Sequence, residues 1–182
     1  SGLIPHRTGY TAIAGEGGDV SFSPYDGLEA DMWTNAKQKY GHVSAERLLS
    51  GAGLALIHAA LAQNKESEAQ ALSAPDIINL ALKDEHPLCS RSLEVFSAML
   101  GSFAGNVALT LGARGGVYVC GGMVPRFLNT FQQSSFRTRF ESKGRFKPYL
   151  AAIPVYVVLN PSAGLLGAAV ALQQKLDAEN EW

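Results

Sequence analysis

The chain has 182 residues, 47% of them hydrophobic and 17% charged, with a formal net charge of −1. That length fits one domain with a core large enough to need no disulfide or metal staples, and the balanced charge excludes the basic surface that nucleic-acid backbones select. Cys89 and Cys120 are too few and too far apart for a disulfide framework or a CxxC-type zinc site; the N-terminus carries no export signal, and the longest apolar stretch, Gly164 to Leu172, falls short of the roughly 18 residues of a membrane span. A cytoplasmic protein without membrane or nucleic-acid partners is expected.

In chain order, Tyr10 to Ala14 and Val20 to Phe22 read as short strands on either side of "GEGGD". A helix follows with Asp26 as N-cap, Leu28, Met32 and Trp33 on its apolar side, and Gly41 as its stop. Ser44 to Leu49 gives a helical turn, and a helix then runs through Leu54, Ile57, His58 and Leu61. After a polar loop, Ser73 lies three residues before Asp76 with Pro75 between them, which reads as a capped helix start. Leu93, Phe96, Leu100, Phe103, Val107 and Leu111 recur at intervals of three to four, so a long central helix is expected, with Gly101 and Gly105 permitting close packing. The run "GGVYVCGG" predicts a strand buried on both faces, followed by a helix opened by Pro125. "PVYVVLN" and "SAGLLGAAVALQQKL" repeat the strand–helix pair, and two such units behind a long helix give an α/β architecture.

Several stretches can carry chemistry. In "GEGGDVSF" the glycines around Glu16 and before Asp19 fit a tight turn between strands or the close approach of a ligand. A strand ending in Gly121-Gly122 before a helix fits nucleotide binding or a plain strand–helix turn; Walker A is excluded for want of a Lys followed by Ser or Thr, and the Rossmann fingerprint because Gly112, Gly115 and Gly116 precede the strand. Glu46 at a helix start suits the helix dipole. The basic run Arg137, Arg139, Lys143, Arg145 and Lys147 is interrupted by Glu141 and reads as a solvated face rather than an anion site. His42, His58 and His86 lack the spacing of a metal site or a triad and read as ordinary surface or core histidines.

Taken together, "GEGGDVSF", "GHVSAERLLSGAGL", "GGVYVCGGMVPRF" and "KGRFKPYLAAIPVYVVLNPSAGLLGA" resemble, in order and spacing, the C-terminal part of bacterial ATP-dependent glucokinases over nearly the whole chain. The Gly-Gly strand end is shared with the wider sugar kinase, actin and Hsp70 group. The resemblance therefore implies a ribonuclease H-like, actin-like ATPase fold with a mixed sheet and packed helices. It also implies ATP and Mg²⁺, phosphoryl transfer to the 6-hydroxyl of glucose, a cleft between a small and a large domain, and a homodimer. Residues 1–182 would form the large C-terminal domain.

By the same resemblance, Glu16 and Glu46 hydrogen-bond sugar hydroxyls, a task that suits ionised carboxylates with several acceptor positions. Asp19 stands where the family has a sugar-binding His, so an N–H donor is replaced by a charged acceptor and altered or weakened sugar affinity is expected. Gly121 and Gly122 would lie beside the adenosine and its nearest phosphates, with Gly115 and Gly116 entering the same strand, while Gly164 and Gly167 would pack at the interdomain hinge. The family's catalytic Asp, preceded by Asn on the small domain, and its N-terminal phosphate loops are absent from these residues. A general base contributes about 10²–10⁴-fold, so the isolated chain should be nearly inert. The alternative is a non-catalytic sugar- or nucleotide-binding or regulatory module that kept the fold.

Overall fold

A computed structural model describes residues 1–6, 9–63 and 71–179. Strands β1 (Gly2–His6) and β2 (Gly9–Ile13) form an antiparallel pair in which Gly2 faces Ile13 and His6 faces Gly9. Helices α1 (Gly27–Tyr40), α2 (Ala45–Leu48), α3 (Gly51–Gln63), α4 (Ala74–Leu82) and α5 (Pro87–Leu111) follow. Strand β3 (Val117–Val119) leads through a 3₁₀ turn at Val124–Phe127 into α6 (Leu128–Gln133), α7 (Phe136–Glu141) and α8 (Lys147–Ala151). Strand β4 (Val155–Val157) pairs parallel with β3, Val117 opposite Val155, and α9 (Ala163–Glu179) closes the order. The polar loop expected before Ser73 lies largely outside the described residues.

Local chemistry fixes most helix ends. The Asp26 carboxylate accepts Glu29 N–H at 2.9 Å, and the Ser44 and Ser73 hydroxyls accept the N–H of Arg47 and Asp76, so each satisfies a donor that the first helical turn leaves without a partner. Gly41 ends α1 at φ 71° and returns its N–H to Lys37 O.

The core is organised around α5. Leu93, Phe96 and Met99 on this helix pack with Leu54 and Ile57 of α3, Ile77 of α4, and Phe136 and Phe140 of α7. Phe96, Phe127, Phe131, Phe136 and Phe140 form a chain of ring contacts with successive centroids 4.7–6.4 Å apart, which adds aromatic geometry to plain area burial. By length and hydropathy α5 could cross a membrane, but it is the core helix, with Leu93, Phe96, Met99 and Ala108 buried.

Three expectations need correction. Val20 to Phe22 is no strand: a 3₁₀ turn at Gly17–Asp19 runs into one antiparallel bridge, Ser21 opposite Ser44. β3 is not covered on both faces, because Tyr118 is 60% exposed and stacks on the exposed Tyr156 ring across β4. The basic run is not uniformly solvated. Arg139 is buried, Arg137 donates to the carbonyls of Ile153, Leu150 and Ala151, and half-buried Lys143 donates to Ser102 O. Burial, reinforced by the nearby Arg139 cation, pulls the Lys143 amine below its usual range.

His58 in α3 is a buried polar group with a satisfied partner. The Ser92 hydroxyl donates to Leu88 O, which leaves its lone pairs to accept from His58 Nδ1 at 3.0 Å; the ring is therefore the Nδ1–H tautomer. Burial first, and the His86 ring 6.0 Å away second, hold the His58 pKa below its ordinary 6.5. A depressed histidine pKa means that the unfolded chain binds the proton more readily, so stability is complete above about 6.5 and declines as pH falls below it. Urea midpoints should therefore drop between pH 7 and 5. His58→Gln should flatten that slope, and an unchanged slope in the variant would assign the acid sensitivity elsewhere.

Candidate functional site

Two segments distant in sequence meet at the glycine turn. Phe22 N–H donates to Val43 O at 2.9 Å and Ala45 N–H to Val20 O at 3.0 Å, which seats residues 20–22 on the entry to α2. Upstream, Asp19 N–H closes the turn on Glu16 O at 3.0 Å, and His42 Nε2 meets Asp19 O at 2.9 Å. Ser44 caps α2 and so places Glu46 in its first turn. The Glu46 carboxylate lies over the glycine turn: a Cβ added at Gly18 would sit 3.4 Å from Glu46 Oε2.

Glu16, Asp19 and Glu46 are all solvent-exposed, on a turn and a helix that pack against each other. A Cβ at Gly15 or Gly17 would meet nothing within 4 Å, and neither residue has a positive φ. The fold of this chain thus does not itself demand glycine there, and the surface around the turn stays low enough for a polar ligand to reach the backbone. A cavity of about 220 Å³ also touches Gly15, Gly17 and Val20, walled by Ile13, Phe22, Phe103 and Val107; none of the three carboxylates lines it.

The second candidate region is the C-terminal end of the β3–β4 pair, where open parallel sheets commonly receive ligands. Gly121 follows β3 at φ 123° and Gly116 precedes it at φ 135°, conformations that side chains resist. Added Cβ atoms at Gly115, Gly121 and Gly122 would find open space, whereas one at Gly116 would lie 3.2 Å from the Tyr156 ring. After β4, Asn160 Oδ1 accepts Ser162 N–H ahead of α9. Backbone can therefore be approached closely at the Gly121-Gly122 turn, which fits a nucleotide held mainly by main-chain groups. Among the described residues no group of three or more His, Cys, Asp or Glu could hold a metal ion.

Two side chains have partners that the sequence reading did not assign them. His42 is tied to the turn, and Glu29 anchors α1 by accepting Tyr25 N–H at 2.9 Å while pairing with Arg139. The Asp26-x-x-Glu29 spacing carried a signal for Glu29, being that of a capping box. Nothing local marked His42.

Known proteins resemble this chain in both sequence and fold. The glucokinase family model matches residues 1–175. Glucokinase of Neisseria meningitidis serogroup C is 56% identical over 97% of this chain and 54% of its own length, and glucokinase of Campylobacter jejuni subsp. doylei is 55% identical over 97% and 53%. A glucokinase crystal structure from an Antarctic psychrotroph superposes with TM-score 0.85 at 34% identity, covering 94% of this chain and 53% of that one. Glucokinase of Balamuthia mandrillaris in complex with glucose shares the fold, with TM-score 0.74 at 20% identity over 87% of this chain and 46% of its own. The chain spans about half the length of the curated relatives it matches. With an α/β fold of the actin-like, hexokinase type and a family match over almost all of its residues, this chain belongs to the glucokinase family.

Proposed function

We propose that this chain is the sugar- and adenosine-binding large C-terminal domain of an ATP-dependent glucokinase, which phosphorylates glucose at its 6-hydroxyl. The observation that carries the reading is the approach of Glu46 to an otherwise open glycine turn that holds Glu16 and Asp19. In that role Glu16 and Glu46 accept hydrogen bonds from sugar hydroxyls and orient the ring, and Asp19 adds a third acceptor where relatives would offer a donor. The exposed carboxylates become a cleft only when the small domain closes over them. That domain would supply the Asp that takes the proton from the attacking hydroxyl, so these 182 residues alone should not turn over.

ATP would lie along Gly121 and Gly122, with Gly115 and Gly116 entering the same strand, and Mg²⁺ bound to its phosphates would offset their charge during transfer. The exposed leucines of α9, Leu165 at 76% among them, suit packing at an interdomain hinge. Two free cysteines fit a reducing cytoplasm, and a homodimer follows from the family resemblance.

The test is Glu46→Gln in the complete enzyme. Glutamine keeps the size but loses the charge and replaces one acceptor oxygen with an N–H donor, so the glucose KM should rise about 10- to 100-fold, the worth of a hydrogen bond to a charged group. An unchanged KM in both Glu46→Gln and Glu16→Gln would overturn the sugar assignment. Calorimetry that finds glucose binding but no ATP binding would favour a sensor over a kinase.

A further inference from the structure

We propose that His42 is a positioning residue for the sugar-binding turn, holding the peptide of Asp19 so that Glu16 and Glu46 keep one spacing. The inference rests on the glucokinase reading and adds to it a residue that touches no sugar.

The loop from Gly15 to Phe22 is glycine-rich, and such a segment pays the largest entropy cost when it is ordered. The bridge at Ser21 secures it from Val20 onward, through Ala45 N–H on Val20 O and Phe22 N–H on Val43 O. The turn that carries Glu16 and Asp19 lies just upstream, and its own bond, Asp19 N–H to Glu16 O, is internal. An internal bond shapes the turn without fixing where it sits. His42 extends the external hold by one residue, with Nε2 at 2.9 Å from Asp19 O. A carbonyl oxygen only accepts, so Nε2 carries the hydrogen; the neutral Nε2–H tautomer and the imidazolium both provide it.

His42 is itself well rooted. It follows Gly41, whose N–H closes α1 on Lys37 O, and its own N–H donates to Tyr40 O at 2.8 Å. Two residues further on, Ser44 caps the helix that carries Glu46. One short segment therefore presents Glu46 directly and Glu16 indirectly, through the His42 bond to the turn. The ring is exposed, so its loss should leave the fold intact while loosening the turn.

In the complete enzyme, His42→Ala should raise the glucose KM and the calorimetric Kd about tenfold, the size set by one hydrogen bond, with kcat within about twofold. His42→Gln, whose amide N–H occupies a similar position, should recover most of that loss. Amide exchange at Gly17 to Val20 should quicken in the alanine variant and return towards normal in the glutamine variant. Loss of kcat and stability in both variants alike would show a merely structural residue and overturn the proposal. So would an unchanged KM in His42→Ala beside a raised KM in Glu46→Gln, an outcome that leaves the sugar assignment standing. If Glu16→Gln and Glu46→Gln also leave glucose binding unchanged, the sugar assignment itself fails, and the role of His42 falls with it.

Discussion

Arg139→Ala should lower stability by about 3–5 kcal/mol, because it removes one partner of a buried ion pair and leaves the other uncompensated. The Arg139 side chain is 10% exposed and that of Glu29 is 2% exposed, with Nη2 2.5 Å from Glu29 Oε1. Arg139 also donates from Nε to the Ser102 hydroxyl at 2.9 Å, and its guanidinium lies 3.7 Å from the centre of the Tyr25 ring. These contacts join α1, α5 and α7 through a single side chain. Once it is gone, the Glu29 carboxylate keeps Tyr25 N–H as a partner but loses its counter-charge in a site that water scarcely reaches.

Thermal and urea unfolding would read the loss directly. The paired substitution Glu29→Leu with Arg139→Met should recover much of it, since a buried ion pair replaced by apolar groups of similar size is often neutral or better. Lys83 and Glu85, 3.9 Å apart with both side chains more than half exposed, provide the contrast: Lys83→Ala should change stability by at most about 1 kcal/mol. If Arg139→Ala behaved like Lys83→Ala, the ion pair would not be the tie between α1 and α7.

What could be read from the residues follows the range of the interaction. The caps at Asp26 and Ser73, the stop at Gly41 and the long α5 were legible because each depends on residues within about one helical turn. Arg139 was misread as part of a solvated run because its partner is 110 positions away, and pattern within a window carries no trace of that pairing. His42 escaped for the same reason, its acceptor lying 23 residues upstream on the backbone, where any residue type presents the same carbonyl. Val20 to Phe22 had the composition of a strand yet found one bridging partner, Ser44, because α2 begins immediately after it. Neither periodicity nor spacing would have joined Glu16 to Glu46; only resemblance to a family did. The glycine turn and the helix that carries Glu46 are brought together by the Val20–Ala45 and Phe22–Val43 hydrogen bonds, which side-chain identity does not encode.

Gly101→Ala should destabilise the chain by about 1–3 kcal/mol, although alanine is the better helix former by about 1 kcal/mol. A Cβ at Gly101 would lie 2.2 Å from Phe136 O and 2.9 Å from Phe136 C. These are backbone atoms of α7 and cannot swing aside as a side-chain end can, so the two helices must separate by most of an ångström or more. That shift would strain the Phe131–Phe136–Phe140 contacts and the Arg139 bond to Ser102, the residue next to Gly101. Gly105, one turn further along α5, faces the same element, its Cβ position 2.5 Å from Phe140 O, and Gly105→Ala should act in the same direction. Gly164→Ala, in α9 with nothing within 4 Å of the new methyl, should instead be neutral or add up to about 1 kcal/mol by restricting the unfolded chain. Urea midpoints of the three variants give the comparison. If Gly101→Ala proved as stable as Gly164→Ala, α5 and α7 would not approach this closely, and the placement of Arg139 between them would need to be redrawn.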